Sequence, residues 1–157
     1  MAIRSIVRVG DDILAKTCKP VVKFDERLAE LIDDMAQTMY EARGVGLAAS
    51  QVGVLRRVVT IDVGDGLIEL VNPEIVKTSG TQRSVEGCLS CPNQWGYVTR
   101  PAKVKVKAQD RTGEWFEVTG KELLAVCLCH ELDHLDGHIF IEKVEEFVQP
   151  DENEDEE

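Results

Sequence analysis

A chain of 157 residues with 43% hydrophobic and 30% charged side chains has room for one domain and one core. The formal net charge is -11, but six acids fall within residues 151–157, so a domain over 1–148 is expected, followed by a solvated, disordered acidic end over 149–157. The body carries no strong basic patch and no run as long as a membrane span, which argues against nucleic-acid and membrane partners. Five cysteines and no secretory signal point to a reducing, cytoplasmic setting and to thiols rather than a disulfide framework.

In chain order, the first clear element is a helix over 25–42. Asp25 is a fitting N-cap, and Leu28, Leu31, Ile32, Met35 and Met39 recur on one face. Gly44 and Gly46 stop it and open a loop with close backbone approaches. Strands are expected over 57–63 and 67–71, with Asn72 and Pro73 as a break. Residues 103–107 alternate lysine and valine, as a half-exposed antiparallel strand does, and 110–113 turn into a further strand over 114–118. After Lys121 the period changes. Leu123, Leu124, Val126, Cys127 and Leu128 make a helix apolar on most sides, which predicts burial at the centre of the molecule. Strands grouped between two helices, without βαβ alternation, predict an α+β fold: antiparallel β-strands packed around the central buried helix, with an N-terminal helix beside them.

That central helix ends in His130-Glu131-Leu132-Asp133-His134. Residues four apart on a helix differ by about 40° in direction, so both imidazoles can reach one ion. The glutamate beside the first histidine is then a general base for a water on that ion. Histidines that cap carbonyls or pair with acids would also satisfy the pattern. Burying them unpartnered on an apolar helix is costly, however, and coordination removes that cost. A catalytic site takes three protein ligands and leaves one position open. Gly137 suits a protease pattern with a third histidine ten residues after the first, but that position is Phe140 and His138 comes too early. Glutamates 142, 145 and 146 leave little chain for a second subdomain, so an upstream thiolate from Cys88 is the economical third ligand.

Three separated segments resemble the three motifs of the peptide deformylase family. They are Gly44-Val45-Gly46-Leu47-Ala48-Ala49-Ser50-Gln51, then Glu86-Gly87-Cys88-Leu89-Ser90, then His130-Glu131-Leu132-Asp133-His134, in family order. The resemblance runs from near the N-terminus to about Val144. It implies that Cys88, His130 and His134 bind one divalent metal ion, natively Fe²⁺, with Zn²⁺ or Ni²⁺ able to substitute. It implies that Glu131 shuttles the proton, and that the Gln51 amide and the Leu89 backbone N–H stabilise the oxyanion. The backbone around Gly46 would align the peptide, while Val45, Leu123, Val126 and Cys127 would line a pocket for a methionine side chain. The implied substrates are the N-formylmethionyl peptides of newly made proteins. Hydroxide supplied by the metal would attack the formyl carbon, Glu131 would hand the water proton to the departing amine, and formate would leave.

Two departures and one rival stand beside this. Residue 129 is Cys where the family commonly has Gln, which puts a local hydrogen bond in doubt and suggests packing instead. Many relatives carry a long basic C-terminal helix that in some helps bind the ribosome; here Pro150 and the acidic residues stand in its place, so a transient ribosome contact is not carried over. The rival takes Cys88-Leu89-Ser90-Cys91 as half of a closed structural zinc site completed by Cys127, Cys129 or His130. Against it, Cys127 and Cys129 differ by about 200° on a helix and cannot both face one ion. Cys91 itself reads as a small buried hydrophobe before Pro92.

Overall fold

The computed structural model describes residues 2–148, so the acidic end expected over 149–157 lies outside the described residues. Helix α1 (Glu26–Glu41) begins where Asp25 Oδ1 accepts the Leu28 N–H at 3.1 Å, and it buries the predicted leucine, isoleucine and methionine face. The segment expected as loop at Gly46 is instead a short strand, β1 (Gly46–Ala48), paired antiparallel with β2 (Val58–Ile61). Leu47 and Ala48 are fully buried, and a buried backbone needs partners that an open loop would not supply.

Strand β3 (Ile68–Ser79) corrects a second expectation, because Asn72 and Pro73 do not end it. They form a bulge between Val71 and Glu74, with Asn72 in the left-handed region at φ 50°. The Asn72 side chain replaces the missing ladder bonds: it accepts from Val21 N at 2.8 Å and donates to Val21 O at 2.9 Å and Gln109 Oε1 at 2.8 Å. A proline without an N–H is tolerated at such a position.

Strands β4 (Gln82–Cys88) and β5 (Cys91–Arg100) were not anticipated; Gly87, Pro92 and Gly96 interrupt their apolar alternation. Strands β6 (Lys103–Gln109) and β7 (Trp115–Lys121) match the expected hairpin, with Val104, Val106 and Ala108 facing inward. A short β8 (Glu146–Phe147) is the last strand among the described residues. The strands form a five-stranded antiparallel sheet, β1-β2-β3-β6-β7, and a three-stranded one, β4-β5-β8.

Helix α2 (Leu123–Leu135) is the predicted central helix, buried along most of its length. Alternation along the sheet sorts the two helices onto opposite faces. Val58 and Val71 point to α1, whereas Val59, Leu70 and Ala48 point to α2. No helix among the described residues is long and apolar enough to cross a membrane.

Candidate active site

His130 and His134 lie one turn apart on α2, with ring centroids 5.1 Å apart. The third group arrives from the other sheet. Strand β4 ends at Cys88, and the two-residue turn Leu89-Ser90 folds the chain back into β5. This hairpin brings Cys88 Sγ to 3.3 Å from His134 Nε2. One donor atom from each of Cys88, His130 and His134 lies within 4.8 Å of the others, the one such cluster among the described residues.

The donor set fits a divalent ion such as zinc or ferrous iron. Burial pushes His134 down to about 3, which keeps its ring neutral with a lone pair to offer. Burial alone would lower His130 too, yet the carboxylates of Glu131 and Glu86 outweigh it and raise His130; their field favours positive charge at this spot. His130 Nδ1 lies 3.0 Å from Glu86 Oε1, so Nε2 is left for a ligand. Glu86 is gripped by Arg100, whose Nε and Nη2 donate at 2.8 and 2.9 Å. Burial would raise Glu86, but the hydrogen bonds from Arg100 and His130 hold it down at about 2. Arg100 reaches on to Asp133 at 2.7 Å, and Lys143 completes the chain of charges at 3.0 Å from Asp133.

Glu131 is buried, and burial pushes its carboxyl up to about 7. Its Oε1 has no hydrogen-bond partner among the described residues. The other oxygen faces Gly46, where an added Cβ would sit 2.5 Å from Oε2, so only glycine lets β1 come this close. Gln51 lies in the 3-10 turn Ala49–Val52 that follows β1. Its Oε1 accepts from Ala48 N at 2.9 Å, while Nε2 donates to Ser90 Oγ at 3.0 Å and lies 3.4 Å from Cys88 Sγ.

Val45, Gly46, Cys88, Leu89, Leu123, Val126, Cys127, His130 and Glu131 all line one cleft of about 550 Å³. Gln51 and His134 sit just behind its wall, fully buried. Val45 and Leu123 are exposed at the mouth; Val126 and Cys127 are buried deeper in, where burial pushes the Cys127 thiol up to about 12 and keeps it apolar. A second cleft of about 620 Å³, lined in part by Arg4, Lys23, Arg27 and Arg56, gathers cations that are scattered along the chain. None of the predicted site residues belongs to it.

The remaining cysteines do not close a zinc site. Cys129 packs into the central core, and Cys91, across the hairpin from Cys88, is buried with Val98 and Phe140. His138 is exposed and lies 3.4 Å from Glu142. The sequence placed Glu86 and Ser90 in the motif around Cys88 but assigned no role to them or to Arg100, whose side chains meet the candidate site. Glu86 stands two residues before Cys88 in the motif that carries it, but nothing local marked Arg100.

The family model for polypeptide deformylase matches residues 3–149. The chain is 61% identical over 154 residues to the peptide deformylase of Acetivibrio thermocellus, covering 98% of this chain and 91% of that protein. It is 59% identical to that of Caldicellulosiruptor bescii, covering 97% and 92%. Among solved structures, the peptide deformylase of Thermotoga maritima superposes with a TM-score of 0.90 at 41% identity, over 92% of this chain and 99% of that one. The Legionella pneumophila enzyme gives 0.89 at 51% identity, over 91% and 86%. A cleft built from three distant motifs, matched along almost the whole chain, therefore has one home: this protein belongs to the peptide deformylase family.

Proposed function

We propose that the enzyme removes the N-formyl group from the N-terminal methionine of nascent peptides in the cytoplasm, releasing formate, as a single catalytic domain over 1–148. One observation carries the reading. Three metal-capable donors meet at the wall of a cleft beside a buried, unpartnered carboxylate oxygen of Glu131.

Cys88, His130 and His134 would hold one divalent ion, with Fe²⁺ as the native ion and Zn²⁺ or Ni²⁺ as substitutes. Once bound, that ion supplies Lewis acidity, lowering the pKa of water and polarising the formyl oxygen. The protein does the rest. Glu131, raised to about 7, accepts the proton of the attacking water at Oε1 and returns it to the departing amine. The Gln51 amide, facing Cys88, and the Leu89 backbone N–H, at the hairpin turn, would donate to the oxygen where negative charge develops. The peptide backbone would run beside Gly46 at the edge of the five-stranded sheet. Val45, Leu123, Val126 and Cys127 would receive the methionine side chain. No ribosome, nucleic-acid or membrane contact is part of the reading.

Formate release from formyl-Met-Ala-Ser, measured beside metal content and against acetyl-Met-Ala-Ser, tests it. The formyl peptide is expected to be hydrolysed and the acetyl peptide spared, with activity proportional to bound metal. A metal-loaded enzyme that releases no formate would overturn the reading.

A further inference from the structure

The metal-capable cluster uses one thiol of the β4–β5 hairpin and leaves the other without a task. Cys88 and Cys91 are direct partners across the turn Leu89-Ser90, and both line the catalytic cleft. Cys88 is half-buried there, whereas Cys91 is 1% exposed and packs behind it with Val98 and Phe140. Packing accounts for a small side chain at residue 91, but it does not require a sulfur opposite a metal-capable one.

The two residues are placed to join. Directly opposed strand residues have Cα atoms about 4.5–5.5 Å apart and side chains on one face of the hairpin. A disulfide takes Cα separations of about 4.4–6.8 Å. The two thiols already interact directly, and Cys88 packs against the cluster that holds Cys91. Cys18, Cys127 and Cys129 belong instead to the central core.

Access to the pair is asymmetric. A peroxide entering the cleft meets the sulfur of Cys88 first, with Cys91 behind it. The Cys88 thiolate attacks one peroxide oxygen, the O–O bond breaks, and Cys88 becomes a sulfenic acid as hydroxide leaves. The Cys91 sulfur then attacks the Cys88 sulfur, the S–O bond breaks, and the hydroxyl leaves with the Cys91 proton as water. Hydrogen peroxide is thereby reduced to water and hydroxide, and the two sulfurs lose two electrons between them. Joined to Cys91, Cys88 has no thiolate to offer a metal. Without Cys91, the sulfenic acid has no thiol opposite it and goes on to sulfinic and sulfonic acids, which thiol reductants do not reverse.

We propose that Cys88 and Cys91 form a redox modification site, in which Cys91 captures peroxide-oxidised Cys88 as a reversible disulfide and spares it from permanent oxidation. The consequence for the metal rests on the deformylase reading above; the disulfide rests on the hairpin alone.

The test treats zinc-loaded parent and Cys91→Ala with hydrogen peroxide, then with dithiothreitol and fresh zinc. Zinc has no redox chemistry of its own, so any oxidation is the protein's. The tryptic peptide Ser84–Lys103 contains only these two cysteines, and its mass reads the site. In the parent, that peptide should become about 2 Da lighter as zinc is released, and reduction should restore both the mass and the zinc. Cys91→Ala should bind as much zinc as the parent before treatment. After it, the peptide should be about 32 or 48 Da heavier, and reduction should return about tenfold less zinc than in the parent. A parent peptide that only gains mass, or stays unchanged, would overturn the disulfide. A variant that recovers as fully as the parent would overturn the protective role of Cys91. A parent that forms the disulfide yet keeps its zinc would support the thiol pair and overturn Cys88 as a metal ligand.

Discussion

Glu86 Oε1 lies 3.0 Å from His130 Nδ1, both side chains are buried, and the same carboxylate is held in a two-pronged grip by Arg100. Strand β4 therefore supplies Cys88 and also, two residues earlier, the group that orients a histidine on α2. This couples the hairpin to the helix through charge as well as through the ion that Cys88, His130 and His134 would share. Glu86→Gln keeps the shape but presents an amide to the donors of Arg100. Metal affinity should fall by about 10- to 100-fold, the usual consequence of losing such a partner, and chelator competition would measure it. Glu86→Ala leaves Arg100 Nε and Nη2 without their carboxylate, with Asp133 as the remaining partner, and thermal unfolding should register a loss of about 3 kcal/mol.

Glu131→Gln should retain metal while formate release drops by orders of magnitude. The three donors are untouched, but an amide cannot take the water proton. Metal analysis and turnover on the same preparation separate the two effects. Normal turnover would remove Glu131 from the mechanism.

Cys88 and Cys91 face each other across the hairpin and are expected to behave differently. Cys88→Ala should lose tight metal binding and activity together. Cys91→Ala should keep both and cost roughly 1–2 kcal/mol of packing against Val98 and Phe140. Equal loss of metal from the two variants would revive the closed zinc site, because such a site contributes folding energy directly.

Asp34, buried on α1, accepts from Ala2 N at 2.7 Å and from Arg4 Nε at 3.0 Å. Burial would raise its carboxyl, but those bonds lower it below the ordinary value of 3.8. Its contribution is therefore complete above about pH 4 and is lost as the pH falls, because the unfolded chain takes up the proton first. Asp34→Asn should be less stable than the parent by about 1–3 kcal/mol at neutral pH. The gap in thermal unfolding should narrow below about pH 4. A constant gap across that range would exclude the ionised carboxylate as its source.

Much of the site was legible before any coordinates, because its chemistry is local. Histidines four apart on a helix share a face whatever surrounds them, and the glutamate between them follows from the same turn. The apolar ring of α2 predicted its burial, and the lysine-valine alternation predicted β6, since both periods reflect which side of one element meets the core. Other features were decided between elements. Asn72 and Pro73 read as a break because the chain alone does not show that Val21 and Gln109 wait to bond the Asn72 side chain. The β4–β5 hairpin was hidden because glycine and proline mask its alternation, and only its partner strand reveals the register. Glu86 and Arg100 are fourteen residues apart in sequence yet share two hydrogen bonds. Spacing sufficed for the helix that carries His130 and His134 on one face. The meeting of Cys88 with that helix and the grip of Arg100 on Glu86 depend on packing two sheets around α2, and no one-dimensional period encodes that contact.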